Sequence, residues 1–343
     1  MMRSRVYVLI RARVRAPFYC LLVFFSIALA GVASSAQSSQ SASAQTSSVA
    51  EPMTGPGYKQ EILRRIALYE DGARNADSRH VDHPTMIEIY RNLGLLYGLA
   101  GMFPKAEAAT MRTIELMKGG PQDQLAEEFN HLSLIHGLMG NFRQAEKDQG
   151  QALAIREKVG DPVGIALTWI DIAGLYDHER KYKKALEYAQ KSYDAVANRT
   201  DMKPSNHIAV LEVTAFALCG TRQCSKGVPI MKRALEESKD AYGQESLSAA
   251  VESFALGYVY WKSGDIADAN EWMQYSITRI KAAVGSDSPI YASTVKQYAQ
   301  FLHQTKQREE ARNADAEVHR IESVLDARTL TFRGGEFLRS GAR

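Results

Sequence analysis

Twelve small residues at fixed distances from six turns constrain this chain more than any other feature. The turn anchors Gly101, Gly140, Arg180, Arg222, Gly264 and Lys306 are spaced 39, 40, 42, 42 and 42 residues apart. Seven residues before them stand Gly94, Ser133, Ala173, Ala215, Gly257 and Ala299; five after stand Ala106, Ala145, Ala185, Gly227, Ala269 and Ala311. Ala, Gly and Ser make up no more than roughly a third of the chain, so chance agreement is on the order of one in 500,000 before the freedom to slide the register is discounted. A chain with such a period folds as an array of equal units, each burying its apolar face against the next.

Larger groups recur in the same register. Eight residues before the anchors come Leu93, Leu132, Ile172, Thr214, Leu256 and Tyr298; four before come Tyr97, His136, Tyr176, Leu218, Tyr260 and Leu302. A spacing of four puts both sets on one helical face. A small residue on each of two antiparallel helices lets the backbones approach, and the larger groups fill the space around the crossing. His83-Pro84, Asp161-Pro162 and Ser288-Pro289 place proline where the first NH of a helix needs no partner. Each unit therefore reads as a helical hairpin.

The segment from Leu95, Leu96 and Tyr97 through Gly101, Met102 and Phe103 to Ala106 and Glu107 is similar to the turn signature of tetratricopeptide repeats (TPR). Gly140-Asn141-Phe142 to Ala145-Glu146 and Gly264-Asp265-Ile266 to Ala269 are similar too. The 42-residue spacing, with QALAIREKVG at 151–160, resembles the longer-repeat variety found in kinesin light chain and many bacterial proteins. Over residues 84–321 the resemblance implies an all-α fold, a right-handed superhelical α-solenoid of about six TPR-like hairpins. It also implies binding of peptides or helices on the concave wall. Family members that clamp peptide backbones carry asparagine nine residues before the turn. Here those places hold Asn92, His131, Asp171, Val213, Ala255 and Gln297, and only Asn92 matches.

Residues 58–76 read as an amphipathic capping helix, with Ile62, Leu63, Ile66 and Tyr69 on one face. The last helix extends through Val318, Ile321 and Leu325, and residues 328–343 form a basic, glycine-punctuated tail that is expected to fray. At the other end, Arg3, Arg5, Arg11, Arg13 and Arg15 precede the apolar run Ala16 to Ala30, and Ala30, Ala33 or Ala36 offers a small residue for cleavage. Residues 1–36 thus read as a secretory signal, with a retained membrane anchor as the alternative. Residues 37–57 read as a Ser-rich flexible linker. Five of the 42 basic residues belong to the signal, leaving 37 against 39 acidic ones. So balanced a body has no electrostatic preference for nucleic acid or anionic membrane.

Positions ten, six and three residues before each anchor share a helical face distinct from the packing face. The candidate groove drawn from that face and its neighbours comprises Arg91, Asn92, Leu95, Asn130, His131, Leu134, Ile170, Asp171, Asp177, Phe216, Phe254, Tyr258 and Trp261. The fifth unit is aromatic at all three places, with Phe254, Tyr258 and Trp261. Two readings stand side by side: a ligand-anchoring stripe, or rings buried by superhelical curvature.

Motifs of catalysis are missing: the chain has no HExxH, GxSxG, GxGxxG or GxxxxGK[ST]. His80 and His83 read as a solvated turn rather than a metal pair, and His136 as a core histidine. No cofactor or metal is expected. Cys219 and Cys224 flank the fourth turn, where a bridge could replace the missing glycine and aromatic; a disulfide and two buried thiols are equally open. The sequence thus predicts an exported, periplasmic or secreted, non-catalytic scaffold for a protein or peptide. It would meet a membrane only through an uncleaved N-terminal segment. The alternatives are an assembly factor forming homo-oligomers through its C-terminal end, and an enzyme with an unrecognised site.

Overall fold

The structure, a computed structural model, describes residues 58–76, 81–196 and 198–340. The signal, the linker, His80 and the last three residues lie outside that range. Among the described residues are thirteen helices and no strand. A single helix, α1 (Tyr58–Arg74), precedes six hairpins: α2 (His83–Leu99) with α3 (Phe103–Leu116), α4 (Gln122–Leu138) with α5 (Phe142–Val159), and α6 (Pro162–His178) with α7 (Tyr182–Val196). The next three are α8 (Pro204–Gly220) with α9 (Cys224–Tyr242), α10 (Leu247–Ser263) with α11 (Ile266–Val284), and α12 (Pro289–Gln304) with α13 (Arg308–Ser340). The chain is an all-α solenoid.

All six anchors are left-handed, with φ between 61° and 100°. That conformation ends each first helix in a Schellman turn: the anchor NH donates three residues back, and the following NH donates to the carbonyl four residues before the anchor. In the third hairpin these bonds are Arg180 to Asp177 and Lys181 to Tyr176, each 2.8 Å. Asp82, Asp161, Ser246 and Ser288 cap the starts of α2, α6, α10 and α12, each accepting from a backbone NH with its side chain.

The twelve small residues are all buried. Where they are glycine, the crossing leaves no room for more. A Cβ on Gly227 would stand 2.7 Å from the Ala215 carbonyl oxygen, and one on Gly257 would stand 3.1 Å from that of Ala269. Each of these contacts joins the two small residues of one hairpin. His136 is a core histidine, held at 2.5 Å by Asp148 and at 3.2 Å by Glu107.

The apolar interior is unequal along the array. From α8 to α13 it is one continuous core that includes Phe216, Phe254, Leu256, Phe301 and Leu302. At the other end α1 covers the first hairpin with Ile62 and Ile66, a smaller cluster. The last helix, α13, continues in helical form to Ser340. No proline interrupts it, and Gly334 and Gly335 each cost a helix only about 1 kcal/mol.

Candidate ligand-binding wall

The first helices of consecutive hairpins stand side by side and form the wall. Of the two readings left open by the sequence, burial by packing describes part of the groove face. Half of the residues ten before the anchor are consumed by packing: Ile170, Glu212 and Phe254 are buried, whereas Arg91 and Asn130 are half-buried and Lys296 is exposed. Helical side chains lean toward the N-terminus of their own helix, so the buried three drop into the seam with the next first helix. There Glu212 stands close to Glu252, twelve residues before the following anchor. The structure also moves Phe216 into the core, so the aromatic stripe narrows to Tyr258 and Trp261, both half-buried. Tyr258 packs edge to face between Phe216 and Trp261, with centroids 5.7 Å away on each side, and Trp261 packs likewise on Phe301 at 5.6 Å.

Over the first three hairpins the wall is polar. Arg91 Nε donates to Glu128 at 2.7 Å across the first seam, and His131 lies 3.6 Å from the other Glu128 oxygen. Burial acts to raise the Glu128 pKa, but His131 and Arg91 outweigh it and hold the carboxyl below its usual range. Burial likewise disfavours charge on His131, yet Glu128 keeps its pKa raised. Asp171 is pushed up to about 6 by burial, against the fields of Arg156 and His131. Asn92 spends its amide on the Glu88 carbonyl of its own helix. The Asn130 carbonyl oxygen is buried without a partner among the described residues. Leu95 and Leu134 are half-buried beside Gly98 and Gly137.

From the C-terminal end of α6 onward the character changes. Asp177 is 9% exposed, and burial pushes its pKa to about 6. Cys219 and Cys224 form a disulfide across the fourth turn, with α-carbons 4.2 Å apart. Across the seam between the fourth and fifth hairpins stand two carboxyls, Glu212 and Glu252, 1% and 2% exposed, each with one oxygen lacking a partner. Burial lifts Glu212 to about 7; burial and then the charge of Glu212 lift Glu252 well above the carboxylate range. Lys262 rests on Trp261, its ammonium 3.6 Å from the ring centroid.

Glu128, Glu252 and Lys262 stood outside the sequence-derived set. The first two could have been found by pairing each position ten before an anchor with the position twelve before the next. Among the described residues no group of three or more His, Cys, Asp or Glu side chains could hold a metal ion. No described helix is long and apolar enough to cross a membrane.

The tetratricopeptide repeat family model matches residues 125–197, the second and third hairpins. Among solved structures the chain is similar to BtubC (BKLC) from P. vanneervenii, at 19% identity over 66% of this chain and 92% of that one, with a TM-score of 0.53. It is similar to a Rap protein complexed with competence and sporulation factor, at 13% identity over 78% of each chain (TM-score 0.54). The apo form of RapI matches at 10% identity over 78% of this chain and 94% of that one (TM-score 0.55). At such identities the likeness is one of fold. A search of curated proteins finds no match. Residues 125–197 are tetratricopeptide repeats, and the two hairpins they form share their small residues and Schellman turns with the other four.

Proposed function

We propose that this protein is a non-catalytic scaffold that holds a peptide or protein segment against its concave wall, outside the cytoplasm. The observation that carries the reading is the pair Tyr258 and Trp261: large rings left half-buried on the wall, yet fixed from behind by edge-to-face contacts with Phe216 and Phe301. Rings locked by packing lose little entropy on binding, which is what an anchor for an apolar side chain requires. One similar fold is seen with a partner, the Rap protein complexed with competence and sporulation factor. The location rests on residues 1–36 alone, with their five arginines, apolar run and small-residue cleavage sites.

Binding to a peptide array, measured for the full chain and for Tyr258→Ala and Trp261→Ala, tests the wall. Truncating either ring should weaken the bound peptides by about 2 kcal/mol or more, roughly thirtyfold. Binding indifferent to both changes counts against the wall. Fractionation of cells with N-terminal sequencing of the mature chain tests the location.

A further inference from the structure

We infer that the Asp177 carboxylate determines the specificity of the wall by taking a basic side chain, Lys or Arg, of the bound peptide; this deepens the reading above and rests on it. Asp177 sits three residues before the third anchor, at a groove position. Its backbone carbonyl is used by the Schellman turn. Among the described residues its side chain accepts no hydrogen bond and joins no ion pair.

Every other acid of the wall either lies in the field of a cation or is sealed. Glu128 has Arg91 and His131. Asp171 lies in the fields of Arg156 and His131. Glu212 and Glu252 are too deeply buried for a ligand to reach. Asp177 differs on both counts: no cation offsets it, yet it keeps a window of 9% exposure. A carboxylate taken this far out of water without a partner is costly, and an incoming ammonium or guanidinium recovers that cost through a charge-assisted hydrogen bond.

The surroundings say what else the ligand carries. The charge of Asp177 is felt at the Tyr258 phenol, so acid and aromatic patch belong to one stretch of wall. Lys262 does not neutralise Asp177: no ion pair joins them, and its ammonium lies over the Trp261 and Tyr258 rings, 3.6 Å and 5.2 Å from their centroids. It repels a second basic residue at the Trp261 end. The occupant that fits is a peptide with a basic residue at one end and an apolar or aromatic residue a short distance along.

A positional-scanning hexapeptide library presented to the full chain at pH 7.5 tests this. The wild type should enrich Lys or Arg over Met at one position by roughly tenfold, about 1.4 kcal/mol. Asp177→Asn should abolish that enrichment and keep the apolar preference, whereas Trp261→Ala should do the reverse. Affinity for the selected basic peptide should fall as pH drops below about 6, and the Asn variant should show no such fall. An enrichment that survives Asp177→Asn, binders with no basic preference, or a pH-independent wild type would each overturn the assignment while leaving the ligand-binding wall standing. A library yielding no binder at all removes the wall, and the role of Asp177 with it.

Discussion

Two seams of this solenoid use the same pair of positions in opposite ways. Between the first and second hairpins, Arg91 meets Glu128; between the fourth and fifth, the equivalent residues are Glu212 and Glu252. The first seam is a hydrogen-bonded ion pair beside a modest apolar cluster. The second is a pair of buried acids inside the largest apolar core among the described residues. Charge pairing supplies cohesion where apolar burial is scarce, and abundant burial can carry two acids whose charged forms it disfavours. The array is regular in backbone, while the forces joining its hairpins change along its length.

Removing one side of the first seam gives the largest expected effect. Arg91→Met leaves Glu128 buried with only His131 nearby, and should destabilise the N-terminal hairpins by about 3 kcal/mol. Urea titration followed by hydrogen exchange in α2 and α4 measures this; a loss under 1 kcal/mol would show that Arg91 contributes no more than a surface pair.

The seams should also answer pH differently: the first is strongest between the Glu128 and His131 titrations, the second at low pH. Glu212 and Glu252 titrate in the fold far above their ordinary 4.5. Their seam is therefore most stable below about 4.5 and weakens as pH rises through about 7, by a few kcal/mol in order of magnitude. Glu128 is held below 4.5, so its contribution is present above that value and lost as pH falls. The raised pKa of His131 adds stability below 6.5 that is lost as pH climbs through the raised value. Segment-resolved hydrogen exchange between pH 4 and 9 should show α8 and α10 loosening toward high pH, and Glu212→Gln should flatten that response. Identical pH dependence in the two halves would refute the contrast.

Much of this architecture was legible in the sequence, because the hairpin crossing admits only Ala, Gly or Ser and the turn leaves a fixed count of residues on either side. Gly227 and Gly257 show why: their missing Cβ atoms are where the partner backbone lies. The wall was less legible. Burial at Ile170, Glu212 and Phe254 depends on how one hairpin stacks on the next, a two-residue offset that no single repeat records. Spacing left the state of Cys219 and Cys224 open because closure depends on where α-carbons fall, here 4.2 Å apart.

That disulfide marks the next difference between the halves. The fourth turn has Arg222 at the left-handed place and Cys224 where the first two units have Phe103 and Phe142. Closing so short a loop should contribute about 2 kcal/mol by chain entropy. The double change Cys219→Ser, Cys224→Ser should lower the denaturation midpoint accordingly, with protection lost first in α8 and α9. Loss spread evenly over all six hairpins would show that the bridge does not act locally.

The smallest effects belong to the turns themselves, where the comparison is between glycine and a side chain in one backbone conformation. Gly101, Gly140 and Gly264 hold the left-handed anchor in three hairpins; Arg180, Arg222 and Lys306 hold it in the other three, at φ of 61°, 64° and 64°. For an L-residue that region costs roughly 1–2 kcal/mol, and replacement by glycine returns part of it against the greater freedom of glycine in the unfolded chain. Arg180→Gly and Lys306→Gly should therefore each raise stability by up to about 1 kcal/mol, while Gly101→Ala and Gly140→Ala should each lower it by about 1 kcal/mol. Arg222→Gly should gain somewhat more, since the bridge between Cys219 and Cys224 already restricts that loop when unfolded and so reduces the entropic cost of glycine there. Thermal denaturation of the five variants in one buffer checks the ordering. A smaller gain at Arg222 than at Arg180 would show that the bridge does not restrict that loop in the unfolded chain.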